Sequence, residues 1–356
     1  MSHKNVDDAV KESTAGQVDK RPSFSLWRVT SVVGLAMLVV VPTLFWLERN
    51  GLLGTENPHS AHAQGGFRRR EVSPFDLSNV TVPKEEIRSG GPAKDGIPAL
   101  SQPRTIDAKS ANYLTPEDRV IGVAMGDEAR AYPIRILNYH EIVNDELSGQ
   151  PIAVTYCPLC DSAAVFDRNT PRGEREFGVS GLLYNSNVLM YDRDDQAESL
   201  WSQLKNEAIA GEQVRNRLKL LPVELTTWGD WQSRYPATTV LSPDTGHRRN
   251  YSRSPYASYF ATPSLMFPVQ PTSDQLPAKE KILGVRAGDK VRAYPRSIFS
   301  EQRRRVEDQL DGKHLVVEFD PATESLRVVE ADEGVTWMYS LWFSWYAMHP
   351  ETEVFE

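Results

Sequence analysis

The chain has 356 residues, enough for two modest domains or one large one, with 25% charged and 40% hydrophobic residues. Its formal net charge of -8 excludes the broad basic face that nucleic-acid binding needs. Arg68-Arg69-Arg70 and Arg303-Arg304-Arg305 are short runs and read as solvated surface.

Residues 1–28 are polar and mixed in charge, and read as a cytoplasmic tail. Residues 29–47, "VTSVVGLAMLVVVPTLFWL", are uncharged and long enough to cross a bilayer as one helix. Trp27 and Trp46 sit near the two ends, where aromatic belts lie. Lys20, Arg21 and Arg28 precede the run, and only Arg49, beside Glu48, follows it. The positive-inside rule then predicts a single-pass anchor in the inner membrane, with the N-terminus cytoplasmic and the bulk periplasmic or extracellular. "AHA" at Ala61–Ala63 has the small-x-small form of a cleavage site, but it lies well beyond an apolar run that is long for a signal peptide. An uncleaved anchor is the expectation. Cleaved or not, the bulk is exported into an oxidising compartment.

Residues 48–95 have little periodicity and read as a tether. Beyond them lies an internal repeat. "RVIGVAMGDEARAYPIRIL" (Arg119–Leu137) matches "KILGVRAGDKVRAYPRSIF" (Lys281–Phe299) without a gap. "VNDELSGQPIAVTYCP" (Val143–Pro158) matches "VEDQLDGKHLVVEFDP" (Val306–Pro321). A third block aligns Trp228 with Trp342, Trp231 with Trp345 and Pro236 with Pro350. Three collinear blocks predict a tandem duplication, with a first unit at 96–245, a linker at 246–279 and a second, shortened unit at 280–356. Within the first unit, the Gly126-Asp127 turn predicts a hairpin. "IRILNYHEIVNDEL" has helical spacing. "QPIAVTYC" and "SAAVFDR" read as paired strands with the cysteines between them, and "TTWGDWQSRYP" as a short helix with Thr at its start and Pro at its end. The expected fold is α+β: two related β-rich halves preceded by one transmembrane helix.

The two copies differ where chemistry is available. Cys157 and Cys160, the only cysteines, belong to the first; Asp320 replaces Cys157 in the second, and Arg303 and Arg304 fall opposite His140 and Glu141. The second also lacks a counterpart of Gly178–Leu220. Two thiolates at C-x-x-C spacing can grip a soft ion, copper or zinc, with His140 as third ligand and Glu141 or Asn144 holding its ring; Met190 is an alternative soft ligand. Such a protein would be a metal carrier or a metalloenzyme. Alternatively, Cys157 and Cys160 are catalytic in thiol–disulfide exchange, with Cys157 as nucleophile and Cys160 as resolving thiol. A structural disulfide is a third use, although closing so short a loop removes little unfolded-state entropy. Haem attachment through C-x-x-C-H is excluded, because Asp161 stands where the His is required. No Gly-rich phosphate loop is present, so no nucleotide is expected. Tyr184 and Asn185, with Asn187, form a polar turn able to line a cofactor or substrate pocket, while Trp201 reads as packing. A non-catalytic envelope assembly protein, with the insertion as its partner-binding part, is the remaining reading.

Taken together, "GGPAKDGIPAL", "ARAYPIRILNYHEIVND", "VTYCPLCDSAAVFDR", "FGVSGLLYNSNVLMYDR", "SLWSQ" and "LPVELTTWGDW" resemble the domain of unknown function 3179 family, over about Gly90 to Leu241. The resemblance implies a prokaryotic protein, exported or membrane-anchored, and supplies no reaction. Its N-x-H-E-I-V-N-D and C-P-L-C patterns fall on Asn138, His140, Glu141, Asn144, Cys157 and Cys160. Gly commonly follows the second Cys in the family, and Asp161 stands there in this chain.

Overall fold

A computed structural model describes residues 73–194 and 196–356. The expected anchor at 29–47, the tail at 1–28 and the tether up to residue 72 lie outside the described residues. Among those described, no helix is long and apolar enough to cross a membrane.

The α+β expectation is corrected: the described chain is mostly β, and its longest helices, Trp228–Arg234 and Trp342–Met348, have seven residues each. The clearest departure is "IRILNYHEIVNDEL". Only Ile134–Leu137 is helical, and Ile142–Leu147 is a strand. Glu141 adopts φ +58, a left-handed backbone that ends the helical path. The apolar spacing of this segment suits a strand buried on both faces as well as a helix.

The predicted hairpin forms from Arg119–Met125 and Glu128–Pro133, with Gly126 at φ +56 in its turn. Strand Glu224–Thr227 pairs antiparallel to its first strand, and Thr239–Leu241 runs parallel to its second. Between them lies helix Trp228–Arg234, capped by the Thr227 side chain. The same arrangement recurs later. Lys281–Ala287 and Lys290–Pro295 form a hairpin, Val335–Leu341 flanks its first strand, helix Trp342–Met348 follows, and Glu353–Val354 runs parallel to its second strand.

The correspondence extends to side chains. A Cβ on Gly122 would meet the Trp231 ring at 2.3 Å, and one on Gly284 would meet the Trp345 ring at 2.3 Å. Each indole lies flat on strand backbone where only glycine leaves room. Trp231 donates to Thr238 at 2.9 Å and Trp345 to Thr352 at 3.1 Å. Asp145 accepts from Arg130 at 2.7 Å and from the Tyr132 hydroxyl at 2.8 Å. Asp308 accepts from Arg292 and the Tyr294 hydroxyl in the same way.

The two parts share a nine-stranded sheet. Gln150–Cys157 and Ser162–Asp167 pair in the register expected for strands flanking the cysteines, and Ala163 faces Tyr339 across the junction to Val335–Leu341. A second, five-stranded sheet includes Phe177–Tyr184, Asn187–Asp192, Leu200–Ser202 and Glu207–Ala210. It packs on the cysteine face of the large sheet, placing Phe177, Met190 and Trp201 in one core with Cys157, Cys160 and Trp342. The segment that only the first part possesses therefore forms a layer over the thiols.

Candidate functional site

Cys157 ends one strand and Ser162 opens its partner, so Pro158–Asp161 make a tight turn. Asp161 holds φ +47, a left-handed position that glycine adopts without strain. An aspartate is accepted there because its carboxylate is used. Arg119 donates to it through two nitrogens at 3.0 and 2.9 Å, and the Tyr156 hydroxyl donates at 2.7 Å. The charge beside the thiols is thus neutralised on the opposite face of the sheet.

The turn brings Cys157 and Cys160 within 3.3 Å of each other as free thiols. Their exposures are 1% and 0%. Around the Cys160 sulfur the insertion supplies polar groups. Asn187 Nδ2–H donates to Sγ at 3.2 Å and to Gln203 Oε1 at 2.8 Å. The Ser162 hydroxyl lies 3.2 Å from Sγ and 2.6 Å from Gln203 Oε1, with one proton to share between them. Gln203 is fixed from behind by donating to Thr155 at 2.9 Å. Cys157 faces the Ser186 carbonyl at 3.7 Å.

These contacts separate the two thiols electrostatically. Burial pushes the Cys160 thiol up, but hydrogen bonds from Cys157, Ser162, Asn187 and Ser344 outweigh it and hold the group below the ordinary thiol value. Cys157 moves the other way: burial, then its hydrogen bond to Cys160 and the charge there, push it well above that value. Of the pair, Cys160 is the more readily ionised thiol, with Cys157 as its donor.

Glu141 lies within electrostatic range of this pair. Burial and the Cys160 charge raise its carboxyl to about 8, and no hydrogen bond opposes them. It is a buried acid that keeps its proton at neutral pH. Next to it in sequence, His140 points elsewhere. Its Nδ1 is 2.8 Å from the Pro98 carbonyl and its Nε2 2.7 Å from the Tyr251 hydroxyl. Burial drives His140 down to about 4, opposed by the Pro98 carbonyl and aided by the His247 and Arg249 charges.

The expected ligand set of Cys157, Cys160 and His140 is therefore not brought together: both ring nitrogens of His140 are engaged away from the thiols. Among the described residues no group of three His, Cys, Asp or Glu side chains converges as metal ligands. Glu141 makes no hydrogen bond to the His140 ring, whose two nitrogens are taken by Pro98 and Tyr251. Asn144 clamps the Phe177 backbone, donating at 2.9 Å and accepting at 2.8 Å. Met190 and Trp201 are core residues. Tyr184 is held in its strand against Ile87 and Asn187, and Asn185 pairs with the Gln270 backbone at 2.8 and 2.9 Å.

That last contact belongs to a cover. The stretch expected as a linker at 246–279 lies over the cysteine turn. The Tyr259 hydroxyl donates to the Leu159 carbonyl at 2.8 Å, the Ser186 hydroxyl to the Phe267 carbonyl at 3.1 Å, and the Tyr139 hydroxyl to the Arg253 carbonyl at 2.8 Å. Tyr256 packs on the same core, its phenol pushed up by burial and then by the Glu141 and Cys157 charges. Sequence reasoning missed Ser162, Gln203, Ser344 and Tyr256. Gln203 alone left a trace, as a polar residue ending "SLWSQ" after buried Leu200 and Trp201.

The model of a family described as proteins of unknown function (DUF3179) matches residues 94–337. The chain belongs to that family. The family match takes in the cysteine turn, Glu141, the whole insertion and the cover, so every group around Cys160 named above except Ser344 lies within it. Neither curated proteins nor solved structures give a match.

Proposed function

We propose that the protein is a thiol–disulfide oxidoreductase in which Cys160 is the nucleophile and Cys157 the resolving thiol. This exchanges the roles that the sequence alone favoured for the two cysteines. The observation that carries the reading is the set of polar groups around the Cys160 sulfur: Cys157, Ser162 and Asn187. A thiolate is both the attacking species and the better leaving group in exchange.

In the oxidising half, the Cys160 thiolate attacks one sulfur of a partner disulfide, RS–SR. That S–S bond breaks, and the departing RS⁻ takes the proton carried by Glu141. The Cys157 thiol then returns a proton to the Glu141 carboxylate and attacks Sγ of Cys160. The mixed disulfide breaks, the second RS⁻ leaves, and a Cys157–Cys160 disulfide remains. Two electrons have passed from the dithiol to RS–SR. Both thiols are buried, so each cycle requires local opening of the 246–279 cover.

Residues 29–47 are proposed as the membrane anchor, which would place this dithiol in an exported, oxidising compartment. A soft-metal site is the weaker reading, because it would rest on two sulfurs without His140.

The test uses the full-length chain equilibrated with mixtures of reduced and oxidised glutathione, quenched, alkylated and weighed. Wild type is expected to pass between a dithiol and one intramolecular disulfide, while Cys157→Ser retains glutathione on Cys160. Thiols that stay reduced across all mixtures, or glutathione taken up more readily by Cys157 in Cys160→Ser, would overturn the reading.

A further inference from the structure

A cavity of about 440 Å³ lies between the 204–220 part of the insertion and the strands Lys281–Ala287 and Val335–Leu341. That size is ordinary for a small-molecule site. Its rim carries four cations, Lys205, Arg217, Lys219 and Arg286, against one carboxylate, Glu333. The whole chain has a net charge of -8, so this concentration runs against the background. Arg217 meets Glu207 loosely, at 3.7 Å, the one ion pair among the four within the described residues.

Arg286 is half-buried. Its guanidinium lies 3.4 Å from Nδ1 of the buried His349, whose Nε2 is engaged by the Leu204 carbonyl at 2.9 Å. Those partners assign Nε2 the proton, leaving Nδ1 as an acceptor on a neutral ring. A neutral imidazole thus orients Arg286, with the Glu351 carboxylate 3.6 Å from the same Nδ1. Burial and then the Arg217 charge lower the Arg286 pKa, against the opposing charges of Glu351, Asp289 and Glu207. The floor is apolar: Trp345 lies under Gly284, and the Trp337 indole N–H is spent on the Val223 carbonyl at 2.8 Å. Converging cations over such a floor focus a positive potential, and a planar guanidinium can meet phosphate or carboxylate oxygens in pairs.

We propose that this cavity binds a small, multiply charged anion, a phosphate ester or a polycarboxylate, whose charge is met by Arg286, Arg217, Lys205 and Lys219 and whose remainder rests on the tryptophan floor. The site is separate from the cysteine turn, and its ligand need not be a redox partner.

Two probes separate the anion chemistries: pyrophosphate and citrate, titrated calorimetrically into the full-length chain at low ionic strength. At least one is expected to bind at one per chain. Arg217→Glu, an exposed change, should weaken that binding about tenfold or more. Lys84→Glu, the same change of net charge at an exposed position outside the cavity, should leave it within twofold. Whichever probe binds names the oxygen chemistry. Absence of saturable binding by both at millimolar concentration, binding that Arg217→Glu leaves intact, or equal weakening by Lys84→Glu would overturn the proposal.

Discussion

The side-chain amide of Asn187 joins the insertion to the chemistry of Cys160: Nδ2–H donates to Sγ at 3.2 Å while Oδ1 accepts from the Leu204 N–H at 3.1 Å. One residue thus donates to the Cys160 sulfur and satisfies a buried backbone donor. Asn187→Ala removes both functions. The loss of stability should be about 2 kcal/mol, the usual penalty for orphaning buried polar groups. The Cys160 titration should move upward in the same variant. Denaturant unfolding and thiolate absorbance against pH measure the two effects. A variant as stable as wild type with an unmoved titration would show that the amide is incidental.

Glu141 gives the stability a definite pH dependence. Its carboxyl holds a proton up to about 8 in the fold, against an ordinary 4.5. Between those values the folded state binds more protons than the unfolded chain, so this contribution falls as pH rises. His140 runs the other way. Its folded value of about 4 lies below the ordinary 6.5, so its contribution is lost as pH falls from 6.5 toward 4. The two oppose each other below 6.5, and of the pair only Glu141 acts above it. Urea midpoints should therefore fall less between pH 6.5 and 8 in Glu141→Gln than in wild type. Equal slopes would contradict the placement of a neutral acid beside the thiols.

The paired tryptophan platforms predict paired mutational effects. A Cβ at Gly122 or Gly284 would stand 2.3 Å from an indole ring packed on strand backbone. Gly122→Ala and Gly284→Ala should each destabilise by about 1–3 kcal/mol, the range for overpacking. Guanidinium unfolding of the two variants is the check. A loss under about 0.5 kcal/mol at either position, the scale of ordinary surface changes, would mean that the platform yields more easily than its geometry implies.

Much of the frame was legible because it is local. The Gly126-Asp127 turn, the strands on each side of the cysteines and the Thr227-capped helix are short elements with their own turn or cap chemistry. The matched blocks set Asp320 against Cys157, and each of the two residues ends a strand. The helix expected over residues 134–147 failed because buried strands and helices both tolerate its apolar spacing, and Glu141 supplies a left-handed break that no residue type announces.

The site was harder to read because its partners are distant in sequence. Asn187 reaches Cys160 from 27 positions away, Gln203 reaches Ser162 from 41, and Tyr259 reaches Leu159 across 100. His140 and Glu141 are neighbours, yet one is tied to Pro98 and Tyr251 while the other lies within electrostatic range of the thiols. The cover at 246–279 looked like a linker because single aromatic plugs, without periodicity, attach it.

The most direct test of the central claim is thiolate absorbance as a function of pH in Cys157→Ser and Cys160→Ser, with circular dichroism to verify folding. If Cys160 is the stabilised thiolate, Cys157→Ser keeps a titration below the ordinary thiol value of 9.0, and Cys160→Ser titrates only above it. The reverse order would contradict the assignment of Cys160 as nucleophile.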